Sequence, residues 1–414
     1  MSSLEKTPPT SPVVMPSTGT PLRILVAPSN FKESAGAAQV ADWIEEGFRT
    51  VNADTKTLEI YKFPLHDGEG FTQALVELDD GSLFSSIVRG PTGKELIAPW
   101  GLIDNRATGV MDVASAAGLR YIPQCERNPL TTSSFGVGQL LRAVIKSGCK
   151  KIIIACGDSG TSDAGVGLLA ALGVVFLDAS GDKLDATSGA RVLSSIHEIV
   201  WPSPDSDPIF RLIHEMEIEV VGNLKNYLIG NKGVARVYGP QKGATPKQVE
   251  LLAKGIENFA SILNREPNHV YKPGSGASGG IGVALYLLGA RMYGRCESFA
   301  RYFNLETVLL SKRWHVAITG EGQLDENSDG KATVEFARLA KARGIPVVCL
   351  VGARNTGNKR DGGHDCINWV QSIINREMTT QTAMSMVEEL VKDASADIMR
   401  ALQVGINVGS VWKP

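Results

Sequence analysis

The chain has 414 residues, 43% apolar and 21% charged, with a net charge of −2 and an isoelectric point near 6.3. That length exceeds one ordinary hydrophobic core and predicts two domains. The near-neutral balance gives no field to draw in nucleic acid or an anionic membrane, and no apolar run reaches the roughly 18–20 residues of a membrane span.

Residues 1–21 are rich in Pro, Ser and Thr and lack the apolar core of a secretory signal, so a disordered leader is expected there. Order begins with the apolar run Leu22–Ala27, closed by Pro28. A helix follows, with Val40, Ile44 and Phe48 on one face. A strand at 57–65 precedes a helix at 71–78. The stretches "SLFSSIVRG", "KELIAPWGLID" and "TGVMDVA" read as consecutive short strands. A helix within 133–148 feeds a strand at 150–156, and a strand at 217–224 leads to a long amphipathic helix at 245–264. The last third continues with strands at 315–320, 346–352 and 367–374, a helix after the first of them, and a closing helix over 380–402. Alternation of this kind predicts an α/β fold with largely parallel sheets, and the strand-rich middle predicts an inserted or adjacent second domain. The six cysteines, Cys125, Cys149, Cys156, Cys296, Cys349 and Cys366, show no C-x-x-C pair or metal-ligand spacing. Several sit in apolar runs, where a thiol behaves as a small hydrophobe. A reducing, cytoplasmic setting is expected.

Forty-four glycines are many for this length, and they cluster between strands and helices, where α/β folds bind ligands. Helix N-termini at such points offer free N–H groups and a partial positive charge suited to phosphate. The richest cluster, "KPGSGASGGIGVALYLL" (272–288), contains G-x-G-x-x-G at Gly274, Gly276 and Gly279. It follows a short polar segment ending in Pro rather than a buried strand, so it is not a dinucleotide fingerprint. A phosphate cradle and a close-packing turn both remain open for it. No G-x-x-x-x-G-K-[ST] occurs, so any use of ATP proceeds without a P-loop, and no G-x-S-x-G elbow occurs either.

The stretch "ITGEGQLDENSDGKATVEF" carries Glu321, Asp325, Asp329 and Lys331, read here as one loop. It imitates a calcium loop, but its twelfth position is Phe336 and an apolar strand precedes it. Such carboxylates suit Mg2+, held through one or two oxygens plus nucleotide phosphates, or serve as acidic helix caps. Lys32 follows the first strand, and Asp67 and Glu69 follow the second; strands of one parallel sheet bring such loops to a common edge. "GDSGTSDAG" (157–165) places Asp158 and Asp163 after another apolar strand.

Taken in order, "APSNFKES", "DGEGF", "NPLTTSSFGVG", "GDSGTSDAG", "GPQKGA", "PGSGASGGIG" and "ITGEGQLD" resemble the glycerate kinase family that lacks a P-loop, from Leu22 to about residue 405. The resemblance implies two α/β domains, one flavodoxin-like with a parallel sheet and one mixed with a restriction-endonuclease-like core, with the active site in the cleft between them. The expected division is 22–65 plus 285–410 for the flavodoxin-like domain and 66–284 for the second. The resemblance further implies ATP-dependent phosphorylation of D-glycerate to 2-phosphoglycerate with ATP and Mg2+. Its alternatives are a kinase of another small hydroxy acid or a nucleotide-binding regulatory relative. A monomer or homodimer is expected, with small-molecule substrates as its partners.

Under this resemblance Asp163, Lys32, Asp67 and Glu69 are catalytic candidates, with Asp163 as general base and an N-cap as its bland alternative. Gly274, Ser275, Gly276, Ser278, Gly279 and Gly280 are nucleotide-binding candidates. Ser29, Asn30, Thr132, Ser133, Asn226 and Lys242 are substrate-binding candidates, and Asp325 with Glu321 is the metal pair. The chain departs from the family pattern at Ser29, at the shortened Asp67-Gly68-Glu69-Gly70, and at Lys225.

Overall fold

The computed structural model describes residues 20–31, 33–66, 68–263, 269–325, 328, 330–355 and 364–411. Among these the strands, in chain order, are β1 (Leu22–Pro28), β2 (Leu58–Lys62), β3 (Ser82–Arg89), β4 (Glu95–Ile103), β5 (Thr108–Asp112), β6 (Lys151–Ala155), β7 (Val175–Leu177), β8 (Glu198–Val200), β9 (Glu217–Gly222), β10 (Arg291–Gly294), β11 (Val316–Asp325), β12 (Val347–Asn355) and β13 (Trp369–Ser372). The chain divides into two compact units. The first comprises Met1–Leu65, Glu306–Ser328 and Thr333–Pro414, the second His66–Leu305 and Asp329–Ala332.

The first unit is built on a five-stranded sheet in the order β13-β12-β11-β1-β2, parallel throughout. Counting only this unit's strands, the spatial order is 2-1-3-4-5, a doubly wound arrangement whose switch point lies between β1 and β11. A parallel sheet covered on both faces needs near-continuous apolar strands, and Ile24, Leu25, Val26 and Ala27 of β1 are all fully buried. On one face the helix Ala37–Val51 lies against the helix Val387–Val411. A Cβ at Gly47 would come within 2.4 Å of the Lys392 carbonyl oxygen, so a glycine is what lets the two helices approach.

The second unit carries a six-stranded sheet, β10-β9-β6-β5-β4-β3. Its first four strands run parallel and the last two antiparallel. Through its core passes the helix Ala277–Leu287, buried from Ala277 to Tyr286, as expected for a helix that is apolar all round.

Three expectations change. The boundary expected at 284/285 falls at Leu305/Glu306, because β10 pairs with β9 and extends the second unit's sheet. The strand expected to stop at residue 320 runs on to Asp325, since Glu321 to Asp325 keep pairing with Val351 to Asn355. The closing helix is two helices, Thr380–Ser385 and Val387–Val411.

Candidate active site

In the second unit the C-terminal ends of β5, β6, β9 and β10 share one edge, the usual ligand side of a parallel sheet. Each strand delivers a polar residue there: Asp112 from β5, Asp158 shortly after β6, Asn223 after β9 and Arg295 after β10. Asp112 is buried, and its carboxylate accepts hydrogen bonds from Gly70 N (3.0 Å), Thr72 N (2.9 Å) and Thr72 Oγ1 (2.7 Å). It thereby holds the N-terminus of the helix Phe71–Leu78. Burial pushes its pKa up to about 7; the Thr72 and Gly70 hydrogen bonds oppose that rise and the Asp158 charge adds to it.

Asp158 is half-buried and has φ of 46°, a left-handed conformation that costs a non-glycine residue energy and is enriched at functional sites. Its Oδ2 accepts from Glu69 N at 3.4 Å. A Cβ at Gly68 would lie 2.8 Å from the same oxygen, so the Gly68-Glu69-Gly70 turn is folded directly onto Asp158. The Glu69 carboxylate is ion-paired with Arg120.

Asp163 presents a different environment. It is fully buried, and its Oδ2 accepts from Ser134 N (2.7 Å), Ser134 Oγ (2.9 Å) and Gly167 N (3.3 Å), while Oδ1 accepts from Gly165 N (3.3 Å). Burial raises its pKa against those hydrogen bonds. The carboxylate therefore ties the start of the helix Phe135–Lys146 to the start of the helix Val166–Ala171. This is the geometry of the cap, with the lone pairs already committed, rather than of a base open to an acceptor hydroxyl.

Several expected binding residues likewise serve the fold. Lys242 is buried and donates to Ser159 Oγ (3.2 Å) and the Thr161 carbonyl (2.6 Å). Thr132 Oγ1 donates to the Gly160 carbonyl (2.9 Å), and Ser133 Oγ to that of Ala186 (3.3 Å). Together, Lys242 and Thr132 hold the Gly157–Asp163 loop in shape. Asn226 accepts at its backbone carbonyl from Gly276 N (3.0 Å) and at Oδ1 from Tyr238 OH (2.9 Å). Ser275 Oγ donates to the Val270 carbonyl (2.8 Å).

The glycine-rich segment lies against that loop. Ser278, Gly279 and Gly280 are successive left-handed residues, with φ of 51°, 73° and 94°. A Cβ at Gly279 would sit 1.9 Å from the Thr161 carbonyl oxygen; no side chain fits there, so close packing alone demands glycine. Two buried hydroxyls belong to residues at this junction, those of Thr161 and Ser162, and among the described residues neither has a hydrogen-bond partner. The neighbouring Cys156 thiol is pushed up to about 12 by burial, against the pull of the Ser278 hydroxyl and the Arg295 guanidinium. Arg295 is itself buried and donates to the Gly330 carbonyl at 3.2 Å. Gly330 in turn packs on Asn223, where a Cβ would lie 2.4 Å from Oδ1.

Asp112 and Arg295 were not among the sequence candidates. Asp112 ends an apolar run as Asp158 nearly does, which is a usable signal. Arg295 follows a short strand, β10, that the sequence assigned to the other domain.

In the first unit, the switch point carries Ser29, whose N–H donates to the Gly320 carbonyl (2.8 Å), and Asn30, whose Oδ1 accepts from Ala37 N (2.8 Å). Glu321 is buried at the same edge within β11. Glu321 and Asp325 lie on one continuous strand rather than in a loop, and four residues of strand span about 13 Å. Among the described residues no three metal-ligating side chains cluster. Lys32 and Asp67 lie outside the described residues.

Comparison with known proteins gives one consistent result. The model of the glycerate kinase family matches residues 24–403. A glycerate kinase of Halalkalibacterium halodurans is 34% identical over 382 residues, covering 91% of this chain and 97% of its own. The glycerate 2-kinase of Escherichia coli K12 is 31% identical over 392 residues, covering 93% and 99%. A crystal structure from Salmonella typhimurium LT2, described as a glycerate kinase 2, superposes with a TM-score of 0.66 at 32% identity, covering 93% of this chain and 99% of that one. By this family match, these identities and a shared overall fold, the chain belongs to the glycerate kinase family.

Proposed function

We propose that the chain uses ATP to phosphorylate D-glycerate at its 2-hydroxyl, with Mg2+ as the accompanying cation. The observation that carries this reading is the single edge of the second unit's sheet that presents Arg295, the left-handed run Ser278–Gly280 and the half-buried Asp158. Phosphoryl transfer asks a protein chiefly for positioning and charge neutralisation. In this reading Arg295 and the backbone N–H groups of Ser278 and Gly279 receive phosphate oxygens, since left-handed residues in sequence are a building block of anion-binding nests. Lys242 and Thr132 keep the Gly157–Asp163 loop rigid behind them.

Mg2+ needs only one or two protein carboxylates when phosphates complete its shell. Asp158, close enough to Asp112 for its charge to raise that residue's pKa, fits this requirement and would hold the ion. Bound there, the ion would neutralise charge on the transferring phosphoryl group.

The test is a coupled assay of ADP release with ATP and a panel of small hydroxy acids, followed by phosphorus NMR of the product. D-glycerate is expected to give the highest kcat/KM and a 2-phosphate. A better acceptor in the panel, or a 3-phosphate, refutes the assignment. Asp158→Asn is expected to weaken apparent Mg2+ affinity by at least about tenfold, and an unchanged Mg2+ titration removes Asp158 from the metal.

A further inference from the structure

The second unit ends its sheet on an unusual edge. Among the described residues β3 is the outermost strand and pairs on one side only, antiparallel to β4. In such a pair alternate residues turn their N–H and C=O groups toward the neighbour and the rest turn them outward. Arg89 N donates to the Gln139 side chain (2.7 Å) rather than to β4, which puts Leu83, Ser85 and Ile87 in the outward set. Their side chains also face solvent: Leu83 is 49% exposed and Ile87 70%, and directly opposite Ile87 on β4 stands Ile97 at 68%. The helix Phe71–Leu78 covers this face of the sheet only further in, around Gly101 and Ile103.

Natural edges of this length are commonly blunted by lysine, proline or a bulge. Ser82–Val88 has neither lysine nor proline, and its pairing with β4 runs without a bulge.

We propose that β3 pairs antiparallel with β3 of a second copy of this chain, about a two-fold axis at Ser85, joining two six-stranded sheets into one. The occupant is a second copy because the strand is complementary to its own reverse. With the axis at Ser85, Leu83 stands directly across from Ile87 of the other copy, and Ile87 from Leu83, on the same solvent-facing side. Directly opposite antiparallel residues do share a face. The same register sets exposed Arg89 opposite Gly81, beside exposed Asp79 and Asp80, so a basic end meets an acidic end twice. Charge complementarity of this kind fixes register, and a two-fold contact must use one patch on both partners.

The experiment is sedimentation velocity of the full chain over a range of concentrations, with hydrogen exchange of the β3 amides. A dimer is expected, with slow exchange at Leu83, Ser85 and Ile87. Ile87→Lys, at a site too exposed to affect folding, is expected to raise the dimer dissociation constant at least about tenfold while the melting curve stays in place. Arg89→Glu weakens the dimer, and Arg89→Glu with Asp80→Lys restores it. A monomer at all concentrations, fast exchange of those three amides, or a dimer indifferent to Ile87→Lys overturns the proposal.

Discussion

Asp163→Asn separates a cap from a catalytic base by magnitude. The substitution keeps size and replaces one carboxylate oxygen by an amide nitrogen that carries donors. Oδ2 receives three donors and Oδ1 one, so the least costly placement turns the amide nitrogen toward Gly165 N. One hydrogen bond is then lost, and the three at the other oxygen become neutral. Bonds to a charged acceptor stabilise by about 1.5–3 kcal/mol and neutral ones by about 0.5–1.5. Removing a buried charge returns part of the difference, since burial already penalises the ionised form here. The net expectation is a loss of about 1–3 kcal/mol, read as a lowered urea midpoint or melting temperature. Turnover per folded molecule should stay within about threefold, whereas loss of a general base lowers rates by about 10²–10⁴. The assays are urea denaturation and ADP release normalised to folded protein. Unchanged stability with a hundredfold fall in kcat would refute the cap and make Asp163 the base.

Other perturbations follow from the same contacts. Gly279→Ala forces a Cβ onto the Thr161 carbonyl in a left-handed conformation, and a destabilisation of at least about 2 kcal/mol is expected; a neutral urea midpoint would contradict the packing described. Burial holds the folded pKa of Asp112 at about 7 against an ordinary 3.8, so between those values the folded state holds a proton that the unfolded state has released. Wild-type stability relative to Asp112→Asn should therefore fall as pH rises from about 4 to about 7, by at most about 1.4 kcal/mol per pH unit, and then level off. Urea titrations of both proteins across pH 5–8 check the sign, and a rising difference refutes it. Arg295→Ala should raise the KM for ATP at least about tenfold, the order expected when a charged partner of phosphate is lost, and an unchanged KM would leave Arg295 a purely structural residue.

Much of the architecture was readable because its strands are apolar runs of the right length between glycine-rich turns, as in Leu22–Pro28 and Lys151–Ala155. Some motifs were readable for the same reason, since "APSNFKES" follows β1 and "GDSGTSDAG" follows β6. What escaped was set by neighbours rather than by local pattern. β10 is four residues long and only its pairing with β9 places Arg295 at the edge. Gly322 interrupts the apolar pattern of β11, yet pairing with β12 carries the strand to Asp325. Asp163 shows the converse. Its position in the motif was plain, but only coordinates reveal four donors closing around it.

The pairing of Leu25 with Ala317 has an outcome for biosynthesis. β1 waits for a partner whose residues are made after the whole of the other unit's main segment, His66–Leu305. Domains tend to fold as they emerge, and contacts this distant in sequence form late. The main segment of the second unit is thus made while β1 and β2 are still a two-stranded fragment, and nascent chains halted before residue 316 should expose that apolar pair to proteases and chaperones.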